Sequence, residues 1–214
     1  MQFTTIFFDL DDTLYPSSTG LWEAIKERMN LYMRDRMGFD PAEIPRVREK
    51  YYRQYGTTLR GLQANHEIDV EDFLAFVHDL PLGDFILPNP GLCQIIAALG
   101  TRNLIFTNAD AAHARRVLKA LALDGCFESI VDVNAVAPYC KPMPESFEIA
   151  MRAAGESNPA CCVMIDDLPR TTRAARKAGW YGILVGQDTP HPDADATLRD
   201  WRNLAAILNG TDSC

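Results

Sequence analysis

Phe3-Thr4-Thr5-Ile6-Phe7-Phe8-Asp9-Leu10-Asp11-Asp12-Thr13-Leu14 is the stretch on which the reading of the fold turns. An apolar and β-branched run from Phe3 to Phe8 stops abruptly at carboxylates. That is the pattern of a strand buried on both faces with functional groups at its carboxyl end. The run is too short for a signal peptide or a membrane span, and no basic leader precedes it, so a cytoplasmic protein without a membrane partner is expected.

The periodicity then changes. Trp22, Ile25, Met29 and Met33 recur at helical spacing and predict an amphipathic helix closed by Gly38. Asp40, Pro41 and Glu43 read as N-cap, first-turn proline and acidic third position of a second helix, which runs through Ile44, Val47 and Tyr51 to Gly56. A third helix is expected after Asp69, with Phe73, Leu74 and Val77 inward.

Beyond the turn Leu87-Pro88-Asn89-Pro90, helix and strand alternate. Leu92, Ile95, Ile96 and Leu99 mark a helix, 103–107 a strand, Val117, Leu118 and Leu121 a helix, and Phe147, Ala150 and Met151 another. A strand at 161–165, a helix at 170–178 and a strand at 181–185 follow, and a last helix carries Leu198, Trp201, Leu204 and Leu208. Such alternation argues for right-handed crossovers and a parallel sheet covered on both faces. The expected fold class is therefore α/β, a Rossmann-like parallel-sheet core (1–16 and 88–214) with an inserted α-helical cap (17–87). Hinges are expected near Pro16-Ser17 and Leu87-Pro88.

Composition narrows the function. The 214 residues are 47% hydrophobic, enough for one sizeable core and a small accessory domain. A net charge of -8 repels nucleic acid polymers, so an anionic ligand should be small and locally held. Cys93, Cys126, Cys140, Cys161, Cys162 and Cys214 show no Cys-x-x-Cys spacing, and thiols in a reducing compartment are expected rather than a disulfide framework. Cys140 reads as a packing residue. His66, His78, His113 and His191 have no zinc-ligand spacing, and no Gly-x-x-x-x-Gly-Lys loop is present.

Four polar clusters fall just past the carboxyl ends of expected strands, where ligands bind in open parallel sheets. They are Asp9-Leu10-Asp11-Asp12-Thr13, Thr107-Asn108, Lys141-Pro142 and Asp166-Asp167. Each alone has an ordinary explanation as a cap, a turn or a solvated lysine. Adjacent carboxylates at a strand end, however, repel unless a cation is near. Read together, Asp9 is a nucleophile for phosphorus, and Asp11 a general acid and base that must arrive protonated, with a raised pKa. Mg²⁺ would be held by Asp9, the Asp11 backbone carbonyl, Asp167 and Asp166, while Lys141 gives a fixed positive charge and Thr107 and Asn108 bind phosphoryl oxygens.

Phe7 to Leu14, Phe106-Thr107-Asn108, Lys141-Pro142 and Ile165-Asp166-Asp167 resemble the four motifs of the haloacid dehalogenase-like superfamily. Asp12 stands where many members have glycine. The resemblance implies an aspartyl-phosphate mechanism, and Asp11 places the chain with phosphatases and phosphomutases rather than true dehalogenases. Leu14-Tyr15 and the stretch from Tyr51 to Leu62 look like the pyrimidine 5′-nucleotidase group. That likeness implies a nucleoside monophosphate such as UMP or CMP as the small phosphorylated substrate, with Tyr55 and Arg60, beside the glycine turn, as candidate cap contacts. Phosphomutase, phosphoglycolate phosphatase and a non-enzymatic receiver-like phospho-acceptor are the alternatives.

Overall fold

The computed structural model describes residues 3–210; Cys214 lies outside them. The sheet has six strands in the order β3-β2-β1-β4-β5-β6, every neighbouring pair parallel. They are β1 (Thr5–Phe8), β2 (Arg102–Phe106), β3 (Ser129–Val131), β4 (Cys162–Asp166), β5 (Tyr181–Val185) and β6 (Ala196–Leu198). In β1 all four residues are buried because layers cover both faces. Ile6 and Phe8 join Ile105, Val163, Ile165 and Ile183 in one core, while Phe7 joins Leu104, Phe106 and Met164 in the other. This is the period-two alternation of a strand turned into two separate hydrophobic layers.

The helices are α1 (Leu21–Asp35), α2 (Ile44–Tyr55), α3 (Thr58–Asn65), α4 (Val70–His78), α5 (Pro90–Ala97), α6 (Ala111–Ala120), α7 (Pro144–Ala153), α8 (Pro169–Lys177) and α9 (Leu204–Asn209). The first four form the inserted cap around Tyr32, Met33, Ile44, Tyr51, Leu62, Phe73 and Val77. Leu21 and Ile25 at the start of α1 pack instead into the layer that holds β1. The α-helical cap and Rossmann-like core are thus as the sequence implies.

Several local expectations are corrected. Asp40 does not cap the second helix: its carboxylate accepts from the Ala42 amide in a turn, and α2 begins four residues later with Pro45 in its first turn. Helix α3 was not expected, although Thr57 caps it through the Arg60 amide. Strands β3 and β6, each three residues long, are too short to show a period. The last helix is shorter than expected, since Leu198 closes β6 and Trp201 lies in a separate helical turn. Cys93 and Cys126 are paired as a disulfide with their Cα atoms 5.7 Å apart, against the expectation of thiols throughout. Their 33-residue separation carries no spacing signal, and only the fold brings α5 beside the loop before β3. Cys140 is a packing residue: it is fully buried, its thiol donates to the Tyr55 carbonyl, and burial pushes its pKa up.

Arginines tie cap to core by capping helix C-termini, where carbonyls lack partners. Arg170 of α8 donates to the Tyr52 and Gly56 carbonyls at the end of α2. Arg116 of α6 donates to the His78 and Leu80 carbonyls at the end of α4.

Within the cap, Gly61 is set by contact. A Cβ there would come within 2.2 Å of the Tyr51 side chain. Gly61→Ala should therefore lower the unfolding free energy by about 1–3 kcal/mol through overpacking of α2 on α3. An unchanged urea midpoint would show that these helices do not pack this closely.

Candidate active site

Three central, adjacent strands, β2, β1 and β4, deliver Thr107, Asp9 and Asp166 to one edge of the sheet. Lys141 arrives from the loop after β3, and its backbone is clamped by Asn108. The Lys141 amide donates to Asn108 Oδ1 at 2.9 Å, and Asn108 Nδ2 donates to the Lys141 carbonyl at 3.0 Å. So held, Lys141 Nζ donates to Asp9 Oδ1 at 2.7 Å and to Asp166 Oδ2 at 2.8 Å. The lysine side chain is only 3% exposed. The other Asp166 oxygen accepts from the Leu168 amide, which fixes this carboxylate at the start of α8. Thr13 joins the two carboxyl ends. Its hydroxyl lies 3.2 Å from both Asp9 Oδ2 and Asp167 Oδ1 and accepts from the Asp167 amide.

Asp12, between these groups, has φ 61°, the left-handed conformation that glycine tolerates best and aspartate better than most. That suits the aspartate found here.

The site carries more negative charge than one lysine offsets. Burial, opposed by Lys141 and reinforced by Asp166 and Asp167, raises Asp9 well above the usual carboxylate range. Burial and the neighbouring Asp166 push Asp167 up to about 7. Burial alone would lower Lys141, but Asp166 and Asp9 outweigh it and raise its pKa. Asp9, Asp166 and Asp167 each offer a carboxylate oxygen within 4.8 Å of the others. A divalent cation that prefers oxygen ligands fits this trio, because it would relieve the repulsion that otherwise drives protons onto Asp9 and Asp167. The Asp11 side chain lies outside the trio.

Asp11 departs from expectation. Its Oδ1 accepts from the Tyr15 hydroxyl at 2.6 Å and pairs with His113 Nε2 at 2.9 Å. Burial would raise its pKa, but the field and hydrogen bond of His113 and the hydrogen bond from Tyr15 prevail and lower it. The raised pKa expected from crowding is therefore corrected: the nearest groups are donors rather than carboxylates.

Cap and core enclose a cavity of about 430 Å³ over the site. Asp9, Asp11, Thr107, Asn108, Lys141, Asp166 and Asp167 all line it. Trp22, Met29, Leu59, Phe73, Leu74 and Val77 form its apolar roof, with Lys26, Arg48 and Tyr52 among its polar groups. Tyr55 and Arg60 do not line it. The Arg60 guanidinium is spent on the Tyr139 and Val133 carbonyls and on Gln63, and so ties α3 to the loop after β3. Tyr55 turns its ring toward Tyr51. Both assignments as cavity contacts are corrected, since the glycine turn aims these side chains at the scaffold.

Sequence reasoning missed His113, Tyr15, His78 and the role of Thr13. The signal the sequence carries for them is His113 in the first turn of the helix that follows Thr107-Asn108.

Fold and site together define a capped parallel-sheet α/β protein with an acidic centre at the carboxyl edge of its sheet. The chain belongs to the haloacid dehalogenase-like hydrolase family, whose model matches residues 3–179. It is 31% identical over 212 residues to phosphate metabolism protein 8 of Saccharomyces cerevisiae, covering 92% of this chain and 66% of that protein. It is 30% identical over 120 residues to the β-phosphoglucomutase of Bacillus subtilis, covering 56% of this chain and 52% of that one. The chain thus spans less than two thirds of either relative. The structure of the HAD-hydrolase YfnB from Bacillus subtilis, described as bound to magnesium, superposes with a TM-score of 0.62 at 17% identity, over 98% of this chain and 100% of that one. Among the described residues no helix is long and apolar enough to cross a membrane.

The raised carboxyl of Asp167 gives a signed expectation. Between its ordinary value of 3.8 and about 7 the folded protein holds a proton that the unfolded chain has released. Its contribution to the stability of the cation-free protein is therefore lost as pH rises through that window. Melting without divalent cations should fall from pH 5 to pH 8, while the gain on adding Mg²⁺ grows over the same range. A gain from Mg²⁺ that is flat with pH would show that no such proton competes.

Proposed function

We propose that the chain is a Mg²⁺-dependent phosphatase for small phosphate monoesters, with Asp9 as nucleophile, Asp11 as proton donor, and a nucleoside 5′-monophosphate such as UMP or CMP as the finer reading of its substrate. The observation that carries this is the buried Lys141 bridge between Asp9 and Asp166, with Asp167 completing an oxygen trio at the floor of an enclosed cavity. The YfnB neighbour described as bound to magnesium supports the choice of ion. Mg²⁺, when bound by Asp9, Asp166, Asp167 and the Asp11 carbonyl, supplies charge neutralisation for carboxylates and phosphate alike.

The protein's own groups then divide the work. Asp9, oriented by Lys141, attacks phosphorus; the ester oxygen departs with the bond's electrons and takes the proton of Asp11. Water then attacks the phosphorus of the aspartyl phosphate, gives its proton to Asp11, and Asp9 is regenerated as phosphate leaves. The donors around Asp11 favour its ionised form, so its proton is taken up with the substrate, whose negative charge raises the carboxyl. The Thr107 oxygen already accepts from the Ala109 amide, which leaves its hydroxyl hydrogen for a phosphoryl oxygen. One N–H of Asn108 is spent on the Lys141 carbonyl and the other is available. The apolar roof supports an organic group with a flat, weakly polar surface such as a base. It does not suit the hydroxyls of a hexose phosphate, which weighs against the phosphomutase reading, and a lasting phospho-acceptor would need no such roof.

Asp9→Asn should lower turnover of p-nitrophenyl phosphate by about a thousandfold or more. EDTA should abolish the wild-type rate and Mg²⁺ restore it. A panel of UMP, CMP, AMP, phosphoglycolate and hexose phosphates, with product analysis, tests the substrate; preference for hexose phosphates with isomerised products would overturn both hydrolysis and the nucleotide reading.

A further inference from the structure

Asp11 receives both of its hydrogen bonds on one oxygen. The Tyr15 hydroxyl and His113 Nε2 converge on Oδ1, and no other described group bonds Oδ2. Facing an ionised carboxylate, His113 Nε2 carries the ring proton and donates it; a carboxyl with two such donors on one oxygen has no room for a proton there, so a proton it takes up sits on the other oxygen. Asp11 lines the cavity, and Oδ2 is the oxygen left for a ligand.

His113 is fixed to an unusual degree. It is 1% exposed, and its backbone amide is held by Asp110, the N-cap of α6. Its ring stacks on His78, with centroids 4.0 Å apart and planes 18° from parallel. His78 is the last residue of α4 in the cap, and its Nδ1 pairs with Asp110 Oδ2 at 2.7 Å. One carboxylate thus holds the backbone of one histidine and the ring of the other. Nothing else in the described residues bonds the His113 ring, whose Nδ1 is buried without a partner. Its single polar contact is Asp11.

We propose that His113, stacked beneath His78 of the cap and with Nε2 directed at Asp11 Oδ1, is a positioning residue that forces the Asp11 proton onto Oδ2, facing the substrate. The proposal rests on the reading of Asp11 as proton donor. It adds a coupling that the four motifs do not contain: the cap, seated through His78 and Asp110, completes the orientation of a carboxyl in the core. His113 touches no reacting atom and acts through Asp11.

The test uses leaving groups. Nitrophenolate departs with little need of a proton, whereas the alkoxide of an alkyl phosphate needs one, and kcat/KM reports steps up to loss of the leaving group. With full-length protein and Mg²⁺, kcat/KM is measured for p-nitrophenyl phosphate and for an alkyl phosphate in wild type, Asp11→Asn, His113→Leu and His113→Gln. Asp11→Asn should lower the alkyl value about a hundredfold more than the nitrophenyl value. His113→Leu should show the same selective loss, about tenfold, and His113→Gln, whose amide N–H can take the place of Nε2, should recover most of it. Equal losses on both substrates in His113→Leu, or a Gln variant no better than Leu, overturn the proposal. If Asp11→Asn itself shows no selective loss, the reading of Asp11 as the acid fails and takes the proposal with it. Wild-type protein gives a check that depends on no variant folding: imidazole ¹H–¹⁵N spectra should place a proton on His113 Nε2, and a bare Nε2 there overturns the donor.

Discussion

An ammonium group almost wholly withdrawn from water lies between two carboxylates, and the rest of the molecule is arranged to make that tolerable. Each ion at Lys141, Asp9 and Asp166 costs several kcal/mol to desolvate, and mutual attraction offsets this only with short hydrogen bonds and all remaining lone pairs placed. Such placement is visible. Asp166 gives one oxygen to Lys141 and the other to the Leu168 amide, Asp9 shares its second oxygen with Thr13, and Asn108 fixes the lysine backbone at both its N–H and its C=O. The parallel sheet supplies the register. With β1 between β2 and β4, Phe8 lies opposite Ile105 and Ile165, so the residues that follow emerge at one level.

The cap is bound to this edge by polar contacts as much as by apolar burial. Its helices end on arginines of the core, while its own Arg60 reaches the loop that carries Lys141. Gly56 extends the same contact, since a Cβ there would meet Cys140 Sγ at 2.7 Å, one residue before the lysine. A roof seated in this way shields the site from water and strengthens every charge–charge interaction beneath it.

Much of this was legible in the sequence, for definable reasons. The buried strand and its terminal carboxylates are local patterns, as is helix–strand alternation, and the four polar clusters fall together because sheet topology places them so. What could not be read depends on contacts between distant segments. Thr57 and Gly61 define α3 only once Tyr51 is known to press on Gly61. Arg60 looked like a ligand contact because an arginine beside a glycine turn is ambiguous until the Tyr139 and Val133 carbonyls stand next to it. The pairing of Cys93 with Cys126, like that of His113 with Asp11, 102 positions away, has no local sign.

The electrostatic bias of the site points two ways within one loop. Asp9, facing Asp166 and Asp167, is pushed toward its neutral form, whereas Asp11, two residues on, faces His113 and Tyr15 and is pushed toward its ionised form. The proposed catalysis requires the reverse of both, a charged nucleophile and a protonated acid. A divalent cation among the three carboxylates would correct the first, and the charge of an arriving phosphate would correct the second. In the proposed reaction, chemistry on Asp9 is thereby conditional on the ion, and chemistry on Asp11 on the substrate. On the proposed mechanism each ligand must overcome this field, so neither alone assembles the reactive pair.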